Sequence, residues 1–318
     1  MGLNKNATRF LLYCRTLDVD FARTALIGRQ RLKFHKRDLK DLFESFGYKV
    51  DAQQIDSVFD QNNRYAERLL TCLGAKEVHS FDKSGYEGAT HLHDMNLELP
   101  DSFKNQYTTV LDSGSLEHIF NFPVAIKNCM EMVKVGGHYL SITPVNNWVG
   151  HGFYQFSPEL YFTVFTRENG FELKSVIAFE TRPNARWYSV KSPLEVGGRV
   201  TLTNSVPVNL FVVARKLAHA RVFETTPQQS DYLPIWHEKD TDSDGAPQTP
   251  PTANLAARFD FIRRRVLASA KKRILKVYWF FNSRFNPQFF NSRFNPRFFR
   301  PMDPTAGRES PKSLQWTP

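Results

Sequence analysis

Apolar segments of strand length alternate with amphipathic segments of helix length from about residue 20 to about residue 215, and this alternation is the strongest constraint on the fold. Strand-like segments occur at 23–28, 77–82, 89–93, 107–112, 138–143, 171–179 and 209–214. Helical patterns, each ending near a glycine, occur at 38–46, 63–73, 123–134 and 158–169. Strands that alternate with helices form mostly parallel sheets covered on both faces. The sequence therefore predicts an α/β domain over 21–222 with a doubly wound, mostly parallel, Rossmann-like sheet, whose last two strands pair antiparallel at one edge.

The two ends of the chain differ in composition from this central region. Residues 1–20 are expected to form an N-terminal extension with a short helix. Pro, Gln, Asp, Ser and Thr dominate residues 223–255, which predicts a disordered linker because such a segment buries too little apolar surface to fold. Apolar residues then recur at helical spacing over 256–281, with Arg and Lys on the other face, and predict a basic amphipathic helix.

The C-terminal tail, 282–318, contains most of a direct repeat. The sequence Phe-Asn-Ser-Arg-Phe-Asn-Pro-Gln-Phe begins at Phe281 and returns at Phe290 with Arg in place of Gln. Residues 256–318 hold 14 Lys and Arg against 3 Asp and Glu, whereas the rest of the chain holds 28 against 29. We predict a disordered tail, with either an anionic membrane surface or the domain itself as the partner of the basic helix. A nucleic acid is disfavoured because the repeats match no known nucleic-acid motif.

One glycine and several polar residues follow the first four predicted strands. In an open α/β sheet, ligands bind beyond the carboxyl ends of the strands, near the point where strand order reverses. Gly28 follows the first strand, Asp82 ends the second, Asp94 follows the third, and Asp112 with Ser113 ends the fourth. A carboxylate after the second strand can accept both hydrogen bonds of a ribose diol. Each residue is also an ordinary turn former, so it is their order along the chain that indicates a nucleotide site.

The segment 146–157 is a second candidate site, because it combines amides, aromatic rings and a histidine between glycines. Such loops commonly bind substrates, so Asn147 and Tyr154 are candidate substrate contacts. His151 is a candidate general base, since histidine ordinarily titrates near neutral pH. The alternative is a rigid loop in which Ser157 caps the next helix and Pro158 opens it.

The segment Tyr107-Thr-Thr-Val-Leu-Asp-Ser-Gly-Ser-Leu-Glu-His118 resembles the fourth-strand motif of class I S-adenosylmethionine (SAM) dependent methyltransferases, in which a Leu-Glu-His turn follows the strand. The helix at 125–135, the pair Gly136-Gly137 and the strand at 138–144 resemble the segments that come next in that family. The resemblance covers about 40 residues closely and 20–215 more weakly.

The resemblance implies a SAM cofactor and an enzyme that transfers a methyl group. It implies that Asp82 contacts the ribose of the cofactor and that Asp94 and Met95 contact the adenine. It also implies that Asp112 and Ser113 contact the methionine end. The turn that contains Glu117 and His118 would face the reaction cavity, with Glu117 as a substrate contact and His118 as a catalytic candidate. The polar, aromatic loop and the near-neutral domain favour a small-molecule or sugar-containing acceptor.

The first motif departs from the family pattern. A Gly-x-Gly-x-Gly loop is usual there, whereas this chain has Gly28-Arg29-Gln30, and Asp82 lies 54 residues after Gly28. The helix at 38–46 would then be an insertion. Either Arg29 and Gln30 contact the cofactor carboxylate, or SAM binding is weakened or lost. In the second case the chain would be a non-catalytic Rossmann-like scaffold that docks on a membrane or a partner through its basic tail.

The remaining candidates favour neither a metal site nor a disulfide framework. His91 and His93 share one face of a predicted strand, where buried structural histidines are favoured over metal ligands. Cys14, Cys72 and Cys129 are scattered, so they match neither a zinc pattern nor paired cysteines. No secretory leader or membrane-spanning segment is recognisable, and we expect a cytoplasmic protein that is peripheral to a membrane if the basic helix binds one.

Overall fold

The computed structural model describes residues 2–59, 64–230, 294–306 and 313–316. Its strands are β1 (Gly2–Leu3), β2 (Arg23–Ile27), β3 (Arg31–Leu32), β4 (Glu77–Asp82), β5 (His91–Leu92), β6 (Tyr107–Ser113), β7 (Val133–Asn146), β8 (Phe171–Glu180), β9 (Trp187–Val190), β10 (Val208–Lys216) and β11 (Phe299–Met302). Its helices are α1 (Lys5–Thr16), α2 (Lys36–Ser45), α3 (Ala52–Val58), α4 (Glu67–Cys72), α5 (Phe122–Met132), α6 (Pro158–Val164) and α7 (Pro193–Val196). None of these described helices combines the length and the apolar character that a membrane crossing requires. The predicted basic helix at 256–281, most of the predicted linker and the first repeat copy lie outside the described residues.

Nine described strands form one sheet in the order β11-β9-β8-β10-β7-β6-β2-β4-β5. Strands β7, β6, β2, β4 and β5 pair in parallel, and the pairs on the other side of β7 are antiparallel. Only β9 and β10 therefore run against the common direction of the described sheet. The large, mostly parallel sheet and the antiparallel pairing of the last two predicted strands are confirmed. That pairing is not at the edge, because β9 and β11 extend the sheet beyond β8.

The strand order reverses between β2 and β6. From β2 the chain moves outward to β4 and β5, and it then returns to place β6 on the other side of β2. The carboxyl ends of β2 and β6 therefore flank the crevice where ligands of open α/β sheets bind. Helices α2, α3 and α4 all lie between β2 and β4, which accounts for the long spacing from Gly28 to Asp82.

Two apolar core clusters cover the sheet. Successive strand residues face opposite sides of a sheet, and Leu26 and Leu111 belong to one cluster while Ala25 and Val110 belong to the other. The first cluster includes buried residues of α1, α2, α3 and α4, and the second includes buried residues of α5 and α6. Helices therefore pack against both faces of the described sheet.

Two local sequence features near the crevice, a helix start and a glycine pair, have clear structural roles. Ser157 Oγ accepts from Glu159 N at 3.2 Å and Pro158 opens α6, as predicted. Gly136 and Gly137, which follow the predicted helix at 123–134, lie inside β7. A Cβ on Gly137 would lie 2.7 Å from the Thr108 carbonyl oxygen, so glycine allows β7 to approach β6 closely there.

The N-terminal segment packs against the domain that was predicted to begin at residue 21. Strand β1 pairs in parallel with β3. Helix α1 begins after Asn4, whose Oδ1 accepts from Ala7 N at 3.0 Å and so caps the helix. The Phe10 ring stacks on Phe211 of β10 with 4.4 Å between ring centroids. The apolar face of α1 is buried in the core, so residues 2–16 are not a free extension.

Part of the tail predicted to be disordered over 282–318 docks on the sheet where the structure describes it. Strand β11 pairs antiparallel with β9, and Phe298 and Phe299 are buried. The buried aromatic rings of Phe298 and Phe299 anchor this segment on the sheet. The first residues of the predicted linker also contact the domain, because Ser230 N and Oγ donate to Glu159 Oε1 at 2.8 and 2.6 Å.

Candidate active site

The ends of β2 and β4 lie side by side, as the strand-end residues predicted. Gly28 has φ of 69°, a left-handed conformation that glycine adopts easily, and its N–H donates to the Phe81 carbonyl at 2.8 Å. Asp82 follows directly as the half-buried last residue of β4. One of its carboxylate oxygens accepts from Ser84 N at 3.1 Å. The structure therefore brings Gly28 and Asp82 together at the crevice.

Arg29 and Gln30 make hydrogen bonds within the protein. Arg29 Nε donates to Glu67 Oε1 at 2.7 Å, and its guanidinium lies 3.9 Å from the centre of the Tyr65 ring. The buried Gln30 side chain donates to the carbonyls of Ile27 and Gly28 at 3.1 and 3.2 Å. These bonds hold the β2–β3 turn in shape without the second and third glycines of the usual loop.

Asp94 lies beyond β5 and is held in its ionised form. Lys83 Nζ is 2.9 Å from Asp94 Oδ2, and the backbone N–H and side-chain amide of Asn96 donate to Asp94 Oδ1 at 3.0 and 2.7 Å. The hydrogen bond from Lys83, followed by those from Asn96, lowers the pKa of Asp94 to about 2. Met95 is buried in the core cluster that contains α5.

Asp112 organises the turn that follows β6. Its fully buried carboxylate accepts from Ser115 N at 2.9 Å and Leu116 N at 3.3 Å through Oδ1, and from Ser141 Oγ at 3.0 Å through Oδ2. Burial raises the pKa of Asp112 above its usual range because it disfavours the charged form. Ser113 is also buried, at the wall of a cavity.

The next turn, Leu116–His118, places two candidate residues beside each other. The Glu117 side chain is 1% exposed, and its Oε2 has no hydrogen-bond partner among the described residues. Burial, and then the neighbouring Asp112 carboxylate, raise the pKa of Glu117. His118 is more exposed, and partial burial together with His151 lowers its pKa.

The loop after β7 is held against this turn by hydrogen bonds. Phe153 N and Tyr154 N both donate to the Glu117 carbonyl, at 2.7 and 3.2 Å. These hydrogen bonds place His151 Nε2 3.6 Å from Glu117 Oε1 and leave 5.0 Å between the ring centroids of His118 and His151. The structure thus brings together Glu117, His118 and His151, which come from two separately predicted segments.

The two other residues singled out in this loop anchor it. Asn147, with φ of 60°, donates through Nδ2 to backbone carbonyls in the 204–206 segment at 3.0 Å. The Tyr154 hydroxyl donates to the Phe120 carbonyl at 2.6 Å. These contacts give both residues a structural role. Their predicted roles in binding substrate stay predictions.

A cavity of about 220 Å³ lies between the Leu116–His118 turn, the loop and the N-terminal segment. Its wall includes Ser113, Glu117, Trp148 and His151 from the predicted segments, and Gly2, Asn4 and Lys33 from the N-terminal region. Sequence reasoning missed these three residues. The helix-capping Asn4 was the only local signal for this region, and it indicates a helix rather than a cavity wall.

His91 and His93 lie away from this cavity. Both are half-buried, and His91 packs beside His79 with 4.9 Å between ring centroids. The single group of described residues whose His, Cys, Asp or Glu side chains have metal-ligand spacing is formed by Glu117, His118 and His151. The three cysteines are buried and free.

No protein-family model matches the chain, and no curated protein matches it. Among solved structures it is similar to a branched-chain polyamine synthase from Thermus thermophilus in complex with N4-aminopropylspermidine and 5′-methylthioadenosine. That likeness has 11% identity and a TM-score of 0.34, and it covers 71% of this chain and 60%, under two thirds, of the synthase. The trans-methyltransferase CalH in complex with SAH has 14% identity, a TM-score of 0.35 and coverage of 65% and 55%. The antibiotic-resistance methyltransferase Kmr has 12% identity, a TM-score of 0.31 and coverage of 64% and 91%. These likenesses are too distant to assign an activity.

Proposed function

We propose that this chain is a SAM-dependent methyltransferase with a doubly wound Rossmann-like domain that acts on a small-molecule or sugar-containing acceptor. The observation that carries the proposal is the row of strand-end groups at the β2–β6 switch point. Gly28, Asp82 and Asp112 follow three neighbouring parallel strands, and a polar cavity lies beside the last of them. This is the place where open α/β sheets bind nucleotide-like ligands.

The proposal gives each predicted cofactor residue a role. Asp82 is the half-buried carboxylate for the ribose diol, and Gly28 leaves room beside it for a ligand to approach. We assign Asp94, ionised beside Lys83, and the buried Met95 to the adenine side of the cofactor. Asp112 and Ser113 lie at the methionine end, and Arg29 and Gln30 shape the turn without the usual glycines.

The acceptor is assigned to the cavity between the Leu116–His118 turn and the loop after β7. Bound SAM would supply the sulfonium methyl group, and transfer of that group is an in-line displacement that depends chiefly on alignment. His118 and His151 lie where an acceptor would meet the methyl group. A neutral imidazole can take a proton from an acceptor, and it can equally bind a metal ion.

Calorimetric titration with SAM and with S-adenosylhomocysteine tests the proposal. We expect micromolar binding by the wild type and a loss of about tenfold or more for Asp82→Ala, because a carboxylate that accepts hydrogen bonds from a diol contributes about 1.5 kcal/mol or more. Asp101→Ala is the matched control, since its side chain is 93% exposed and lies away from the crevice.

Two results would contradict this proposal. No binding of either ligand at millimolar concentration would exclude it and favour a non-catalytic binding protein. Equal weakening by Asp82→Ala and Asp101→Ala would remove the assigned role of Asp82.

A further inference from the structure

Three side chains, two of which line the cavity, have the spacing of metal ligands. One ligand atom from each of Glu117, His118 and His151 lies within 4.8 Å of the other two. Glu117 Oε1 lies 3.6 Å from His151 Nε2. Two imidazole nitrogens with one carboxylate oxygen are a donor set that suits zinc and other late divalent transition metals.

The buried carboxylate of Glu117 is an independent sign of a missing partner. Its side chain is 1% exposed, and Oε2 accepts no hydrogen bond from any described residue. A buried carboxylate oxygen without a partner is unfavourable, and native structures rarely leave one. A cation between Glu117, His118 and His151 that is bound through both carboxylate oxygens would supply that partner.

The ligands are held in place before any ion binds. The hydrogen bonds from Phe153 N and Tyr154 N to the Glu117 carbonyl fix the loop that carries His151 against the turn that carries His118. Little conformational freedom would therefore be lost on binding. Glu117 and His151 also line the 220 Å³ cavity, so positions not taken by the protein would face that space.

We propose that Glu117, His118 and His151 bind one divalent transition-metal ion of the zinc class. Mg²⁺ and Ca²⁺ are disfavoured because they prefer oxygen ligands alone. The consequence for chemistry rests on the proposed function. An ion at this wall would bind an oxygen atom of the acceptor, so the site points to an acceptor with a hydroxyl or a similar oxygen donor.

The test is titration of the untagged, chelator-treated full chain with Zn²⁺ alone, beside a titration with Mg²⁺. We expect one Zn²⁺ per chain, much weaker Mg²⁺ binding, and a loss of Zn²⁺ affinity of about tenfold or more in each of His118→Ala, His151→Ala and Glu117→Gln. His91→Ala, which removes a half-buried histidine outside the cluster, is the control and should bind Zn²⁺ like the wild type.

Thermal unfolding of each metal-free variant checks that it is folded before its affinity is compared. The proposal is overturned if the wild type shows no stoichiometric Zn²⁺ binding, or if only His91→Ala weakens it. Because SAM is absent from the titration, this result does not depend on whether SAM binds.

A different observation concerns the C-terminal repeat, whose second copy contacts the sheet. The Phe294 ring stacks on Tyr188 of β9, with 3.9 Å between centroids and 11° between ring planes. The Phe298 carbonyl accepts from Lys191 N at 2.9 Å, and Phe299 begins the strand that pairs with β9. This segment covers what would otherwise be an exposed sheet edge.

The docked segment builds its own turn. Asn295 Oδ1 accepts from Arg297 N, and the Asn295 carbonyl accepts from Phe298 N and Phe299 N, each at 2.9 Å. Asn followed by Pro favours such a turn, because the Asn side chain bonds the backbone two residues on and Pro fixes its own φ. The sequence Phe-Asn-Pro-x-Phe-Phe therefore specifies the shape that docks.

The first copy has the same residues nine positions earlier. Its corresponding hexapeptide runs from Phe285 to Phe290 and differs from the docked one, Phe294 to Phe299, only by Gln288 in place of Arg297. Arg297 is exposed and its Nη2 donates to the Val196 carbonyl at 3.4 Å, so this difference changes one surface contact and leaves the buried ones unchanged. We infer that Phe-Asn-Pro-x-Phe-Phe docks at the β9 edge as a linear motif, through its aromatic rings and the backbone of its last two Phe residues, and that the first copy of the chain competes with the second for it. The strand partners Arg300, Pro301 and Met302 follow the motif and are not repeated after the first copy.

The docking site extends to the candidate acceptor loop. Phe299 lines a second cavity, of about 230 Å³, together with Val145, Gln155 and Ser157. Exchange of the two copies would place Phe290 at the same wall. The loop would then keep its support whichever copy is bound.

Hydrogen exchange of the Lys191 amide, which donates to the Phe298 carbonyl, tests the competition in the full chain. One variant carries Phe294→Ala, Phe298→Ala and Phe299→Ala, a matched variant carries Phe285→Ala, Phe289→Ala and Phe290→Ala, and a third carries all six changes. We expect Lys191 to stay protected in each triple variant and to exchange about tenfold faster or more only in the sixfold variant.

Two results would overturn this inference. In the first, the triple variant of the second copy loses as much protection at Lys191 as the sixfold variant does. The first copy would then not replace the second at the β9 edge. The second is a wild-type Lys191 amide that exchanges as fast as in the sixfold variant, since neither copy would then occupy the edge.

Discussion

Asp112→Ala is expected to lower the free energy of unfolding by about 3 kcal/mol or more, since a buried donor left without a partner costs roughly 1–3 kcal/mol. The change removes the acceptor of Ser115 N and Leu116 N, and it also removes the partner of Ser141 Oγ. Asp112 is fully buried in β6, between β2 and β7, so the groups that it bonds are left without an exposed alternative partner. Urea denaturation at neutral pH measures the loss.

Asp112→Asn is the matched control, because it keeps an acceptor at Oδ1 and removes the charge. Burial raises the pKa of Asp112 from 3.8 to about 6, so the carboxylate is destabilising when ionised. A raised acid pKa means that the stabilising contribution is complete below the unfolded pKa and is lost as the pH rises through the folded one. We therefore expect Asp112→Asn to match the wild type near pH 4 and to be the more stable of the two near pH 8.

The two variants separate hydrogen bonding from charge. If Asp112→Ala unfolds at the same urea concentration as Asp112→Asn, the bonds to the turn contribute little and the charge dominates. If the stability difference between Asp112→Asn and the wild type does not change from pH 4 to pH 8, the raised pKa is wrong. Both measurements can be made without any ligand.

Periodicity in the sequence predicted the parallel half of the sheet well. Strands β2, β4 and β6 and helix α5 carry their apolar patterns locally, and parallel pairing places their carboxyl ends at one edge. The positions of Gly28, Asp82 and Asp112 follow from that edge alone. This explains why the strand-end residues could be named before the structure was known.

The parts that sequence reasoning missed depend on contacts between distant segments. Strands β1 and β3 are two residues each, too short for a period to be visible, yet they carry the N-terminal segment to the cavity wall. Strand β11 lies more than 100 residues after β9 in the chain, in a segment that was predicted to be disordered, and it still pairs with β9. The bonds of Arg29 to Glu67 likewise join residues that no local pattern connects.

The candidate site was predicted only in part. The Leu-Glu-His turn was found by its resemblance and His151 by the composition of its loop, but neither signal says that the two segments meet. What joins them is the hydrogen bond of Phe153 N to the Glu117 carbonyl, which requires a residue without a side chain at Gly152. That requirement makes Gly152 the most direct test of the site.

Gly152→Ala is expected to displace the loop from the turn. Gly152 has φ of 74°, and an added Cβ would lie 2.7 Å from the Glu117 carbonyl oxygen and 3.1 Å from His118 Nδ1. Real Cβ atoms do not approach backbone oxygens so closely, so the loop or the turn must move. Gly150→Ala is the matched control, because Gly150 has φ of 85° in the same loop and no atom within 4 Å of a built Cβ.

Both alanine variants incur the strain of a left-handed residue, about 1 kcal/mol. Only Gly152→Ala adds a steric conflict, so we expect it to lose about 2 kcal/mol more in urea denaturation than Gly150→Ala. Because the conflict separates His151 from Glu117 and His118, we also expect Zn²⁺ affinity to fall by about tenfold or more in Gly152→Ala alone. Equal stability of the two variants would contradict the close packing of the loop on Glu117. A larger loss of stability with unchanged Zn²⁺ binding would instead keep the packing and remove His151 from the metal site, because the displaced loop could then no longer be supplying a ligand.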